Sequence, residues 1–263
     1  MLTIQNYKKV ESLEEAYELN QKKANRIVGG MMWMRMGDNR MNTAIDMSGL
    51  GLDKIEESDE EFKIGCMTTL RQLEVHESFN EYTDGCAKEA LRHIVGVQFR
   101  NLATVGGSVF GRFGFSDVLT LLLVMDSYVE LYKGGIVPLA DFVNMPYDRD
   151  ILVRVIVKKT AAHYSYKSVR ISKTDFPVLT CAAALTQEGV QAAVGARPAK
   201  AALVKDAEQL ATLPMTAEKA QAFAEYAAGL LPTETNPRGS AAYRTHLIKV
   251  LTARCLTELG GKA

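Results

Sequence analysis

The sequence has little that marks a metal site. Its four cysteines, Cys66, Cys86, Cys181 and Cys255, are scattered, and no two form a Cys-x-x-Cys pair. That spacing argues against a zinc or iron–sulfur site built by this chain alone. It reads as reduced thiols in a cytoplasmic protein. The four histidines, His76, His93, His163 and His246, lack metal-ligand spacing as well. An excess of either charge is also missing. Lys+Arg and Asp+Glu balance at 31 each, which speaks against a nucleic-acid binder. No apolar run approaches the roughly 20 residues of a membrane span. The opening segment carries acids early and has no apolar h-region, so no signal peptide is expected. No Ser-His-Asp or Cys-His arrangement stands out, and no catalytic side chain is expected.

What is present is ordinary globular composition, 47% hydrophobic and 24% charged over 263 residues. The length suits about two domains. "SLEEAYELNQKK" has helical spacing behind Ser12 as an N-cap. "NRIVGG", "TAIDMSGL" and "EFKIGCMTT" read as short strands. "TTLRQLEVHESF" reads as one helix starting near Thr68 or Thr69, and "KEALRHIVG" as another. "DVLTLLLVMDSYVELY" begins helical and turns into a strand at Tyr128–Tyr132. "DILVRVIVKK", with its branched residues, is a strand. The character changes near residue 160. "HYSYKSVR" and "PVLTCAAALT" read as strands. "GARPAKAALVKDAEQLA", "TAEKAQAFAEYAAGLL" and "SAAYRTHLIKVLTARCLTEL" are Ala-rich and read as helices. The expected fold class is α+β, a mixture without regular βαβ alternation, ending in a small sheet covered by helices.

Two glycine pairs follow short apolar runs, Gly29–Gly30 in "NRIVGG" and Gly106–Gly107 in "RNLATVGGSVF". Glycine lets a backbone approach a neighbour closely, and consecutive free N–H groups in such a turn make an anion cradle. Neither pair fits the dinucleotide fingerprint or a P-loop. A tight turn between buried strands explains either pair taken singly. Thr104 and Ser108, flanking the second pair, are short hydroxyls suited to phosphate oxygens. Asp117 has two readings, the N-cap of an apolar helix and an acceptor for a ribose hydroxyl.

Several blocks together carry a family resemblance: "IVGGMMWM", "IDMSGL", "IGCMTTLRQLE", "ALRHIVGVQFRNLATVGGSVFGRFGFSD" and "VPLADF". They resemble the FAD-binding domain of molybdenum hydroxylases, the family of xanthine dehydrogenase and carbon monoxide dehydrogenase. "YKSVRISKTDFPVLTCAAAL" and "NPRGSAAYRTHLIKVLTARCLTEL" resemble that family's flavoprotein C-terminal domain. The resemblance implies a two-subdomain FAD-binding fold of the vanillyl-alcohol-oxidase/p-cresol-methylhydroxylase type over residues 1–159. Subdomain one would cover 1–52 and subdomain two 53–159. A small α+β C-terminal domain would occupy 160–263.

The resemblance implies that both glycine turns hold the FAD diphosphate. The first turn would comprise Ile27, Val28, Gly29, Gly30, Met31, Met32 and Trp33. The second would comprise Thr104, Val105, Gly106, Gly107, Ser108 and Gly111. Asp117 would lie at the adenosine end. Ile94 and Val95, with Leu152 or its neighbour Ile151, would pack beside the isoalloxazine, and Lys167 would stand near its pyrimidine edge. A valine at Gly106 or Gly107 is then expected to expel flavin with the fold intact.

The chain departs from the family's pattern in places. Met31 and Met32 stand where the family has hydroxyl or charged residues, and Ser108 stands for a usual Asn. Arg112-Phe113-Gly114-Phe115 replaces a usual Ala-Ser-Pro stretch. Phe113 and Phe115 either shield a flavin or adenine face or plug the local core. Arg112 either reaches a phosphate or forms a surface ion pair.

The implied role is an electron-transfer subunit. Electrons from a molybdopterin-binding large subunit pass through the clusters of a two-iron–two-sulfur small subunit to FAD, then to NAD or another acceptor. A non-catalytic flavin-binding accessory or assembly protein is the alternative, and a structural subunit that has lost FAD is a third reading.

Overall fold

Three separate β-sheets order the described residues. The structure, a computed structural model, describes residues 1–262. The first sheet is parallel, with strand β3 (Arg40–Asp46) between β1 (Thr3–Lys9) and β2 (Arg26–Val28). Helix α1 (Leu13–Gln21) crosses from β1 to β2, and the Ser12 hydroxyl accepts from the Glu15 N–H at its start. The first glycine turn leaves β2 at the carboxyl end of this sheet, where Val28 lies opposite Asp46.

The second sheet is antiparallel, ordered β4 (Ile55–Glu57), β5 (Glu61–Gly65), β8 (Leu152–Lys158), β6 (Ser127–Leu131) and β7 (Gly135–Pro138). Between β5 and β6 run six short helices: α2 (Leu70–Val75), α3 (Glu77–Tyr82), α4 (Cys86–Leu91), α5 (Val97–Arg100), α6 (Val105–Phe110) and α7 (Asp117–Leu123). Helix α8 (Leu139–Asn144) follows β7. The stretch read as one helix from Thr69 breaks at His76, which ends α2 and caps α3 by accepting from the Phe79 N–H through Nδ1. Thr69 opens α2 with a reciprocal capping box to Gln72.

The third sheet is antiparallel, ordered β12 (Ala202–Lys205), β11 (Gly189–Gly195), β10 (Pro177–Thr186) and β9 (Ala162–Arg170). Helices α9 (Ala217–Leu230) and α10 (Ala241–Gly260) cover one face. The opposite face meets α7. Along β10, Cys181 and Ala183 point into the helix layer, while Ala182 and Ala184 join the core around α7. Every residue of α7 is buried. The alanines matter because a helix apolar all round needs a flat surface on both sides. The Thr120 and Thr180 hydroxyls, 2.9 Å apart, tie α7 to β10.

One expected helix does not form. "GARPAKAALVKDAEQLA" ends β11, turns, and returns as β12 beside it, with Ala193 opposite Leu203 and Ala192 opposite Val204. Alanine content favours a helix locally, but the open edge of the sheet offers Leu203 and Val204 a ladder, and tertiary pairing overrides the propensity. The strand ends at Asp206, whose carboxylate accepts from the Leu210 and Ala211 N–H groups.

Candidate functional site

The two glycine turns meet each other. A Cβ on Gly29 would lie 2.7 Å from the Thr104 Oγ1, and one on Gly30 would overlap the Leu102 carbonyl. The first pair is therefore glycine because the second segment passes directly beneath it. The N–H groups of Gly30, Met31, Met32 and Trp33 have no hydrogen-bond partner among the described residues. Met31 takes φ 53°, the left-handed conformation. Such a residue in a turn aims successive N–H groups to one side, which is the geometry of an anion cradle.

The second pair is built differently. Gly106 and Gly107 lie in the first turn of α6, not in a turn between strands. Their N–H groups are used within the chain. Val105 donates to the Thr68 carbonyl at 2.8 Å, Gly106 to Cys66 at 2.9 Å, Gly107 to the Thr104 Oγ1 at 3.2 Å and Ser108 to the Thr104 carbonyl at 3.1 Å. The Ser108 hydroxyl also turns inward, to the Thr104 carbonyl at 3.0 Å. The hydroxyls that suited phosphate in the sequence thus serve the helix start. A Cβ on Gly106 would stand 2.6 Å from both the Cβ and the carbonyl of Cys66. Gly106→Val therefore disrupts packing, which corrects the expectation that it would act on flavin alone. Gly107 meets only the Thr104 Oγ1, at 3.1 Å, and keeps an open side. Burial pushes the Cys66 thiol up to about 12, so it acts as a packing group. Gly111 ends α6, and its carbonyl accepts from the Tyr147 hydroxyl at 2.8 Å.

Beside both turns lies an aromatic cluster drawn from three segments. The Trp33 ring is 5.7 Å from Phe113, 5.2 Å from Phe115 and 5.7 Å from Phe176. Phe113 and Phe115 stack with their planes 7° apart. Arg238 stands over Phe176, 4.9 Å from the ring centroid. Its loop is fixed by the buried Arg244, which donates to the carbonyls of Val178, Glu234 and Gly239. Arg112 does neither of the things weighed for it. It is buried 4.0 Å from the Phe142 centroid and 4.6 Å from that of Tyr147, and it donates to the Met145 carbonyl at 2.6 Å.

Ile94 and Val95 lie between α4 and α5. Val95 is 45% exposed and takes φ 50°, a conformation that a β-branched residue adopts only under constraint. The constraint is visible. Arg100 donates to the Ile94 carbonyl at 3.0 Å and, in a bidentate pair at 2.7 and 3.1 Å, to Glu74. Burial alone would raise the Glu74 carboxyl, but hydrogen bonds from Arg100 and Arg71 outweigh it and hold it below the ordinary range. A carboxyl held low stabilises the fold above its unfolded pKa of about 4.3. That contribution is lost as pH falls through the folded value. Glu74→Gln is therefore expected to flatten the acid limb of stability below about pH 4.3. Thermal melts across that range check it, and an unchanged acid limb would show that Glu74 does not couple to unfolding.

The remaining site residues are not gathered at the turns. Asp117 is the first residue of α7, whose N-cap is Ser116. Its Oδ1 accepts from both the Tyr166 hydroxyl and Arg170 Nη2, across the junction between α7 and β9. Burial raises the Asp117 carboxyl, and these two donors counter it only in part. Leu152 is in the core at the start of β8, opposite Leu131. Lys167 points to the other side of β9 from Tyr166. It lies in a groove of about 510 Å³ against α10 and pairs with Glu258 at 2.5 Å. Sequence reasoning passed over Tyr166, Arg170, Phe176, Glu74 and Arg100. Each acts through a partner 26 or more residues away, so no local pattern marks it.

Among the described residues no group of three or more His, Cys, Asp or Glu could hold a metal, and no helix is long and apolar enough to cross a membrane.

The fold has counterparts. A family model described as the FAD binding domain in molybdopterin dehydrogenase matches residues 3–159. A second, the CO dehydrogenase flavoprotein C-terminal domain, matches residues 164–259. The chain is 26% identical over 260 residues to the uncharacterized protein YgfM of Escherichia coli (strain K12), covering 95% of this chain and 94% of that one. It is 23% identical over 293 residues to the xanthine dehydrogenase FAD-binding subunit of Escherichia coli O157:H7, covering 100% and 99%. Among solved structures, carbon monoxide dehydrogenase from Hydrogenophaga pseudoflava, in a form lacking the Mo-pyranopterin moiety, superposes with a TM-score of 0.86 at 21% identity. That match covers 98% of each chain.

Proposed function

The chain belongs to the family of FAD-binding domains in molybdopterin dehydrogenases, and from that premise we propose that it is the electron-transfer flavoprotein subunit of a molybdenum hydroxylase. The observation that carries the cofactor reading is the first turn. Four consecutive N–H groups, Gly30 to Trp33, lack partners among the described residues, and an anionic diphosphate supplies the acceptors they need. FAD, when bound, supplies the exchange between one-electron and two-electron carriers.

The chain's own residues bind and orient. The first turn would hold the diphosphate, with Gly107 presenting the open side of α6. Without charged or hydroxyl side chains at Met31 and Met32, the hold rests on backbone donors. The Trp33–Phe113–Phe115–Phe176 cluster would exclude water from the same edge. Ile94 and Val95 would present aliphatic surface to the ring system. The adenosine assignment of Asp117, the isoalloxazine assignment of Leu152 and the pyrimidine-edge assignment of Lys167 rest on the resemblance alone, since the chain already occupies these side chains internally.

The partners of this reading are a molybdopterin-binding large subunit and a two-iron–two-sulfur small subunit, in the cytoplasm, with NAD or another acceptor. The altered first turn, with Met31 and Met32 in place of hydroxyl or charged residues, leaves room for a second reading, a flavin-binding accessory protein without turnover. The purified chain is expected to be yellow and to release one FAD per chain on denaturation, identified by mass. A colourless chain that refuses added FAD overturns the cofactor reading. NADH oxidation with an artificial acceptor separates the two roles for a chain that does bind FAD.

A further inference from the structure

The loop carrying Ile94 and Val95 shows three signs of being held against its own preference. Val95 is β-branched at φ 50° and is 45% exposed, so no burial of its side chain compensates for the conformation. The Nδ1 of the preceding His93 is buried with no partner among the described residues. The Ile94 carbonyl accepts from Arg100 Nη1 at 3.0 Å. Arg100 is 4% exposed, and its remaining donors Nε and Nη2 are both taken by Glu74, itself 4% exposed. Two helices fix the guanidinium from either side. Glu74 lies in the last turn of α2 with its carbonyl accepting from the Asn80 Nδ2 at 2.9 Å, and Arg100 ends α5. A planar fork so held has one free direction, and that direction is the Ile94 carbonyl.

We propose that the Glu74–Arg100 pair is a positioning device. It locks the His93–Gly96 loop so that Ile94 and Val95 present a fixed aliphatic face to the isoalloxazine. The proposal rests on the cofactor reading above, and goes beyond it by assigning the geometry of that face to two residues that do not touch the ligand. The fork geometry is required, not the charge alone. A lysine at position 100 keeps the ion pair with Glu74 but cannot also donate to Ile94 in the same plane.

The test uses the full chain. Arg100→Lys is expected to weaken FAD about tenfold, as for a lost hydrogen bond from a charged donor. It is also expected to change the visible circular dichroism of bound flavin, with far-UV circular dichroism unchanged. Val95→Gly, which removes both the strain and the aliphatic face, is expected to do the same with the ion pair intact. The two losses act through one loop, so the double variant is expected to lose no more than the worse single variant. Arg100→Lys with native affinity and native flavin dichroism overturns the positioning role while the cofactor reading stands. Fully multiplicative losses do so too. Where Arg100→Lys folds poorly, Val95→Gly decides alone, and native affinity with native flavin dichroism in that variant overturns the proposal. A wild-type chain that binds no FAD overturns the cofactor reading and this proposal together.

Discussion

Gly30→Ala is expected to cost the protein both its flavin and a large part of its stability. The added methyl would overlap the Leu102 carbonyl. That carbonyl cannot retreat, because the next residue, Ala103, accepts from the Leu70 N–H at 2.8 Å and Thr104 caps α6. The first turn must lift away instead, taking its N–H groups with it. Overpacking costs about 1–3 kcal/mol, and a backbone obstacle places this case at the upper end. At about 2–4 °C per kcal/mol for a chain of this size, the melting temperature should fall by roughly 6–12 °C. Gly107→Val is the contrast. Its Cβ meets only the Thr104 Oγ1, at 3.1 Å, so the fold should lose little beyond part of a helix cap, about 1 kcal/mol. Its bulk enters the open side where the diphosphate is proposed to lie. Thermal melts with flavin occupancy separate the cases. Gly107→Val with full occupancy would place the diphosphate elsewhere, and Gly30→Ala with a native melting temperature would mean the turns are not in contact.

The same contrast shows how far the sequence could be read. Caps are local chemistry, so Ser12 and Thr69 are legible as helix starts, and each accepts from the N–H three residues on, as Thr216 and Ser240 do at α9 and α10. The two glycine pairs announced a close approach, but not what each approaches. Gly29 and Gly30 abut the Leu102–Thr104 segment, and Gly106 abuts Cys66, contacts spanning tens of residues that leave no periodicity. The strand β12 was hidden because alanine suits a helix until the edge of β11 is in place. The aromatic cluster is the clearest limit. Trp33, Phe113 with Phe115, and Phe176 come from three parts of the chain, and singly each looks like an ordinary core residue. The side chain of Val95 suits a packing surface, yet its left-handed backbone and its exposure emerge only once Arg100 and Glu74 close behind it.

Arg170→Met is the other substitution expected to have a large effect, because it strands a charge. Asp117 and Arg170 are 5% and 8% exposed, and they join α7 to β9 across the junction between the second and third sheets. Arg170 also reaches the Asp175 carbonyl, one residue before Phe176 of the aromatic cluster. A methionine there leaves Asp117 buried with Tyr166 as its remaining donor. Removing one partner of a buried pair costs about 3–5 kcal/mol, which corresponds to a fall of roughly 6–20 °C in melting temperature. The penalty belongs to the unpaired carboxylate and not to the lost bond. Asp117→Asn/Arg170→Met should therefore recover most of the loss, since an amide has no charge to strand and still accepts from Tyr166. Burial raises the Asp117 carboxyl even with Arg170 present, and without the guanidinium it rises further. A group raised in the folded state favours folding below its unfolded pKa of about 3.9, and that advantage is lost as pH rises through the folded value. The single variant should accordingly regain stability on acidification, while the double variant should not. If both variants melt together at every pH, the pair is not what joins the two sheets, and the Thr120–Thr180 contact with the alanine faces of β10 carries that junction.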